Sequence, residues 1–125
     1  MRRLAPLLLL LALSACSLID DSVPTCTAIP DQADDTITRI TSGGPYPYPG
    51  NDDTRFGNYE GHLPAAERDY YREYTVSTPG VSHRGARRIV TGSTGAGIEV
   101  WYYTDDHYES FCRIADAHIK EVSNA

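Results

Sequence analysis

The residues best suited to chemistry lie in "REYTVSTPGVSHRGARRIV", residues 72–90, where one carboxylate, Glu73, precedes a turn and three arginines, Arg84, Arg87 and Arg88, follow it. Guanidinium groups are planar forks that grip oxyanions through paired bonds, and a carboxylate tuned by nearby charge and burial can take up a proton. Strand alternation decides whether such groups share a surface. If Ser77 pairs with Arg84, Thr75 faces Ala86 and Glu73 faces Arg88, so Glu73, Thr75, Ser77, Arg84, Ala86 and Arg88 share one face. Tyr74, Val76, Arg87 and Ile89 then point the other way. The plainest reading of Glu73 and Arg88 is a cross-strand ion pair on an open surface, worth less than about 1 kcal/mol when exposed.

Elements that would position these groups are legible on both sides. In "PDQADDTITRITSGG", residues 30–44, Ala33, Ile37 and Ile40 recur at helical spacing, with acids in the first turn, Arg39 near the end and glycine after it. Residues 43–64 are rich in Gly, Pro, Asn and Asp and read as a long structured loop with a short strand near Phe56. A loop of that length in a small domain is uncommon unless it carries function. Four β-rich runs follow, "DYYREYTVS", "RGARRIVTG", "GIEVWYYT" and "ESFCRIA", separated by turn signals such as Pro79-Gly80 and Gly95-Ala96-Gly97. A helix followed by antiparallel strands predicts an α+β domain in which the N-terminal helix packs on a single antiparallel β-sheet. The apolar set Tyr74, Val76 and Ile89 would meet the helix.

The first residues read as an export signal. "MRRLAPLLLLLALSAC" has a basic start, a short leucine-rich core and small residues before a cleavage point, and its apolar run is too short to span a bilayer. Leu13-Ser14-Ala15-Cys16 resembles the bacterial lipobox, in which cleavage precedes a cysteine that carries lipid. The expected organisation is a signal peptide over 1–15, a lipidated Cys16 with a tether over 16–25, a folded domain over 26–117 and a tail over 118–125. With Cys16 lipidated, the chain's other two cysteines, Cys26 and Cys112, are left to pair. Two buried free thiols are the alternative, which an oxidising compartment disfavours. Cleavage removes two of eleven basic residues and leaves nine against seventeen acidic ones, a net charge of −8. The broad basic footprint of a nucleic-acid binder is therefore absent.

"FGNYEGHLP", "EYTVSTPGVSHRGARRI" and "YYTDDHYESF" occur here in an order and at spacings similar to those of the secreted microbial guanyl-specific ribonucleases, the barnase-like group. The helix segment and "GGPYPYPG" are similar too, so the resemblance covers nearly all of residues 26–115. It implies metal-free cleavage of single-stranded RNA after guanosine, by transesterification to a 2′,3′-cyclic phosphate that is then hydrolysed, with no cofactor. It implies Glu73 as general base, His107 as general acid, and Arg84 and Arg88 as the groups that hold the phosphate and stabilise its transition state. It further implies base recognition by a loop in which Gly57, Asn58 and Tyr59 offer backbone N–H groups and Glu60 its carboxylate. Phe56 and Tyr108 match the aromatics around the base; Phe56 reads equally as a loop anchor. Asn58-Tyr59-Glu60 stands where bacterial relatives commonly carry Asn-Arg-Glu, which removes one positive charge beside the base. The implied partners are the RNA substrate and a small acidic inhibitor protein, with the chain expected to be a monomer outside the cell; anchoring to the envelope through Cys16 is what the lipobox adds, since most members of the family are freely secreted.

The remaining candidates read more plainly. His62, His83 and His118 are isolated histidines of loop or surface type, with His83 next to Arg84 the one that could modulate phosphate binding. "PYPYPG" reads as a rigid turn. The three cysteines lack metal-ligand spacing, and there is no phosphate-cradling glycine loop. A second functional reading also stands: a catalytically weak, ribonuclease-like envelope lipoprotein that binds protein or nucleotide, for which the change at Tyr59 is the hint.

Overall fold

A computed structural model describes residues 22–125. The signal, Cys16 and most of the tether lie outside the described residues. Helix α1 (Asp31–Ser42) carries Asp31 and Asp34 in its first turn and Arg39 in its last, each sign matched to the dipole end it meets. It stops at Gly43, whose φ of 79° only glycine adopts readily, and the Gly44 N–H closes the end on the Arg39 carbonyl at 2.8 Å. Ala33, Ile37 and Ile40 face inward as their spacing predicts, joined by Thr36.

The sheet is an antiparallel meander in sequence order: β1 (Thr54–Arg55), β2 (Tyr71–Thr75), β3 (Arg88–Thr94), β4 (Gly97–Thr104) and β5 (Cys112–Arg113). The α+β arrangement is the expected one, but the register of the central hairpin is not. Glu73 pairs with Val90, and it is Thr75 that faces Arg88. Strand β3 begins only at Arg88, and residues 76–87 form a longer connection, turned at Gly80 (φ 83°) and Gly85 (φ 68°). A Cβ on Gly85 would lie 2.6 Å from the Thr78 hydroxyl oxygen, so the two arms of this connection close on each other. The slip is two residues, an even number, so Glu73, Tyr74, Thr75, Arg88 and Ile89 keep their predicted faces, while Ser77, Arg84 and Ala86 fall in the connection and do not pair as expected.

Each face of the sheet is apolar in part. Tyr74, Val76, Ile89, Trp101 and Tyr103 pack with Ala33, Ile37 and Ile40 beneath α1. On the other face Tyr71, Val90, Tyr102 and Phe111 form a second cluster with Val23 and Leu63. The face that carries Glu73 is therefore not the open surface expected, and Arg88 within it is buried, 2% exposed. Arg87 sits on the α1 side, where its charge acts on the Tyr103 hydroxyl.

The C-terminus is helical where a tail was expected. Helix α2 (Asp116–Ser123) lies against α1, its Ile119 and Val122 reach the core, and His118 Nε2 lies 2.6 Å from Asp34 Oδ1. Thr25, at the end of the expected tether, bridges to Arg113 beside β5. Cys26 and Cys112 form a disulfide across 86 residues of chain. Among the described residues no helix is long and apolar enough to cross a membrane.

Candidate active site

Strand β2 presents Glu73 on the face opposite α1, and the loop before it bends back because a buried carboxylate holds it. Asp52, 3% exposed, accepts the Thr75 N–H through Oδ1 (2.7 Å) and the Tyr48 N–H through Oδ2 (3.0 Å). Those bonds satisfy both oxygens and tie the loop to the end of β2. Beyond β1 the chain makes a tight loop closed by Asn58, whose Nδ2 donates to the Leu63 carbonyl (2.9 Å) while its Oδ1 accepts the Leu63 N–H (3.1 Å). Asn58 itself is left-handed (φ 50°), a conformation its short polar side chain tolerates. The Asn58 side chain is thus the clasp of the loop. The amides of Gly57, Asn58 and Tyr59 donate no hydrogen bond among the described residues.

His107 and Tyr108 come from the turn after β4, and Asp106 builds that turn. Its Oδ1 accepts from the Thr104 hydroxyl (2.8 Å) and the Ser110 N–H (2.9 Å), and its Oδ2 from the Ser110 hydroxyl (2.5 Å). Partial desolvation opposes its charge, but these bonds outweigh it and hold the carboxyl below its usual range. Within this frame His107 (φ 55°) and Tyr108 (φ 73°) both adopt left-handed backbone, and the His107 N–H donates to the Ala86 carbonyl at 3.1 Å. That bond sets the exposed imidazole beside the arginine segment.

The predicted residues converge. Glu73, His107, Tyr108 and the loop from Phe56 to Glu60 line one recess of about 310 Å³. Neither Arg84 nor Arg88 lines it: Arg88 reaches it through Tyr108, whereas the partners of Arg84 lie outside it. Arg84 donates from Nε and Nη2 to the Thr75 hydroxyl (3.1 and 3.0 Å) and lies over the Tyr48 ring. Arg88 Nη1 donates to the Arg87 (2.7 Å) and Gly85 (3.0 Å) carbonyls, and its Nε to the Tyr108 hydroxyl at 3.1 Å. That hydroxyl in turn donates to Glu73 Oε1 at 2.9 Å. The expected facing pair of Glu73 and Arg88 is thus a three-membered chain, with a phenol between the charges. Burial, followed by the charge of Glu73 and the bond to it, pushes the Tyr108 hydroxyl up to about 12, with Arg88 opposing. Tyr108 therefore stays protonated and bridges both ions at ordinary pH. Glu73 Oε2 carries no bond among the described residues and is the oxygen open to a proton.

Phe56 is anchored as its loop reading expects, and it also lines the recess. Its N–H anchors to the Tyr71 carbonyl (3.0 Å), its ring meets Tyr71 and Phe111 edge-on, and it stacks on Tyr108 with centroids 5.0 Å apart. Tyr59 is 88% exposed and folds its ring over Gly57, where an added Cβ would lie 2.3 Å from a ring carbon. Arg55, His62 and Phe111 also line the recess and were not foreseen. His62 is not the isolated loop histidine expected: it meets Glu60, two residues away around a glycine, a spacing visible in the sequence. His83 accepts the Gly85 N–H through Nδ1.

Comparison with known proteins gives a consistent picture. The sequence pattern of the ribonuclease family matches residues 14–115. Guanyl-specific ribonuclease St of Saccharopolyspora erythraea is 53% identical over 83 residues, which cover 66% of this chain and 77% of that protein. Ribonuclease Sa2 in its complexes with mononucleotides is 42% identical and superposes with a TM-score of 0.68, over 76% of this chain and 96% of that one. Its structure with guanosine-2′-cyclophosphate is 43% identical with a TM-score of 0.65, over 74% and 96% of the two chains.

Proposed function

The chain belongs to the ribonuclease family, among its guanyl-specific members, and on that premise we propose how it cleaves RNA. It is an endoribonuclease with a preference for guanosine that acts through a 2′,3′-cyclic phosphate. The observation that carries the residue assignment is the chain Arg88–Tyr108–Glu73 at the wall of a recess that also holds His107 and the 56–60 loop.

Glu73 takes the proton of the ribose 2′-OH on its open Oε2 as that oxygen attacks phosphorus. His107 gives a proton to the departing 5′-oxygen, and the product is a cyclic phosphate and a free 5′-hydroxyl. Water then opens the ring with the two roles exchanged. Each group supplies about 100 to 10,000-fold in rate. Arg88, already desolvated, and Arg84 hold the non-bridging oxygens and meet the charge that grows on them, with no need for water to reorganise. Unpartnered amides at 57–59 suit the guanine carbonyl edge, and the Glu60 carboxylate suits its ring N–H and exocyclic amine, donors that adenine does not present in that arrangement. Phe56 and Tyr108 supply ring surface, and such stacking is worth about 1–3 kcal/mol per base. The chain's negative net charge does not forbid this, because salt screens distant charges beyond about 8–10 Å and the arginines act at contact.

The disulfide fits an exported protein. We extend this to a lipid on Cys16 after removal of 1–15, a monomeric domain, and a small acidic inhibitor that covers the arginines; intact mass of the mature chain tests the lipid. Turnover is tested with the dinucleotides GpU and ApU in EDTA, following cyclic phosphate. GpU is cleaved faster, and Glu73→Gln and His107→Gln each lower kcat by about 100-fold or more. Undiminished turnover in either variant removes these assignments, and loss of activity in EDTA removes the metal-free mechanism.

A further inference from the structure

We propose that His62 is a positioning residue for base selection, holding the Glu60 carboxylate in the orientation that receives guanine; this rests on the guanyl reading above. His62 Nε2 lies 3.0 Å from Glu60 Oε2. A carboxylate only accepts, so Nε2 carries the proton and donates. The two side chains meet because Gly61 between them takes a left-handed turn (φ 68°), with its N–H on the Asn58 carbonyl at 3.0 Å. Their mountings differ. His62 precedes Leu63, which is buried and bonded to Asn58 in both directions, so its backbone is fixed. The Glu60 side chain is 72% exposed and, among the described residues, bonds to His62 alone.

Without that bond an exposed glutamate samples several rotamers, and a base that needs one of them must order it on binding. The bond also leaves room for the ligand. A carboxylate has about four acceptor positions, of which His62 uses one on Oε2, so the two donors of guanine can be met without displacing the histidine. Arg55, Glu73 and His107 share the recess, and none of them bonds to Glu60.

The test is calorimetric titration of guanosine 3′-monophosphate and adenosine 3′-monophosphate into the wild-type protein, His62→Leu and His62→Gln, alongside GpU and ApU kinetics. His62 is 43% exposed, so both variants should fold, which thermal unfolding verifies. Releasing one rotamer-rich side chain weakens the guanosine ligand about three- to tenfold in His62→Leu. The adenosine ligand is unchanged, KM for GpU rises by the factor seen in binding, and kcat stays level. His62→Gln, which keeps an N–H donor of similar reach, restores most of the preference. Unchanged or tighter guanosine binding in His62→Leu overturns the proposal, the second by showing a competitor. Equal loss for both bases, or a glutamine variant that behaves as leucine, overturns it too. A wild-type protein with no base preference overturns the guanyl reading itself, and this proposal with it.

Discussion

Replacing Tyr108 with phenylalanine removes one oxygen and keeps the ring. That oxygen donates to Glu73 Oε1 at 2.9 Å and accepts from Arg88 Nε at 3.1 Å, while the ring remains stacked on Phe56. Hydrogen bonds to charged groups are worth about 1.5–3 kcal/mol. The two ends do not respond alike. Glu73 is only partly buried and recovers a bond from water, whereas Arg88 is 2% exposed and leaves a buried N–H unmet. The loss is therefore dominated by Arg88, at about 2–3 kcal/mol. For a folded body of about 100 residues this lowers Tm by roughly 10–15 °C. The carboxylate, released from its guide, spends less time aimed at the 2′-OH, and kcat on GpU falls about tenfold, near 1.4 kcal/mol of barrier. Because the ring is retained, the ratio of GpU to ApU turnover stays as in the wild type. Calorimetry and the dinucleotide assay read these effects separately. A midpoint within about 3 °C of the wild type, together with kcat within about twofold, would refute the reasoning, because the hydroxyl would then bridge nothing of consequence.

Two further outcomes follow from the same geometry. Replacing Cys26 and Cys112 together by serine opens a loop of 86 residues, and the chain-entropy model gives a loss of about 4–5 kcal/mol, a fall in Tm of about 20 °C, read by calorimetry. Asp106→Asn removes the acceptor for the Ser110 hydroxyl, costs about 1 kcal/mol at neutral pH, and lowers kcat by loosening the turn that carries His107. Since the folded carboxyl of Asp106 is held below its ordinary 3.8, its contribution is full above that pH and is lost as pH falls through the folded value. Urea titrations from pH 7 to 2.5 should show the variant's deficit shrinking only at the acid end.

Which features could be read from the chain follows from their physical range. Helix α1 was legible because spacing, dipole-matched charges and the glycine stop are all local. The faces of β2 and β3 were legible because alternation is local too. Their register was not, since it depends on a connection that turns at Gly80 and brings Gly85 against Thr78, a contact that no period reports. An even slip hides itself: Glu73 keeps its face while losing its expected partner. The burial of Arg88 was out of reach for a related reason, because the groups that meet its guanidinium come from the 76–87 connection, through the Gly85 and Arg87 carbonyls, and from Tyr108 in the turn after β4. Helix α2 is short and buries no residue fully, so its pattern is faint. At the site, residue types and alternation pointed to the carboxylate and to Arg84 and Arg88, while His107 was singled out by the family resemblance alone. The Tyr108 hydroxyl that joins two of them requires the three-dimensional path of the 104–110 turn.

The sheet separates two apolar clusters, one sealed by α1 and the disulfide-linked end of β5, the other backing the recess. Effects of substitutions more than about 7–10 Å apart without shared partners generally add. The α1 side is thus a region where this enzyme can accumulate or lose stability, by drift or by engineering, at little expense to turnover. Changes around Val90, Tyr102 and Phe111 have no such freedom, because Phe56 and Tyr108, which line the recess, pack against that same cluster.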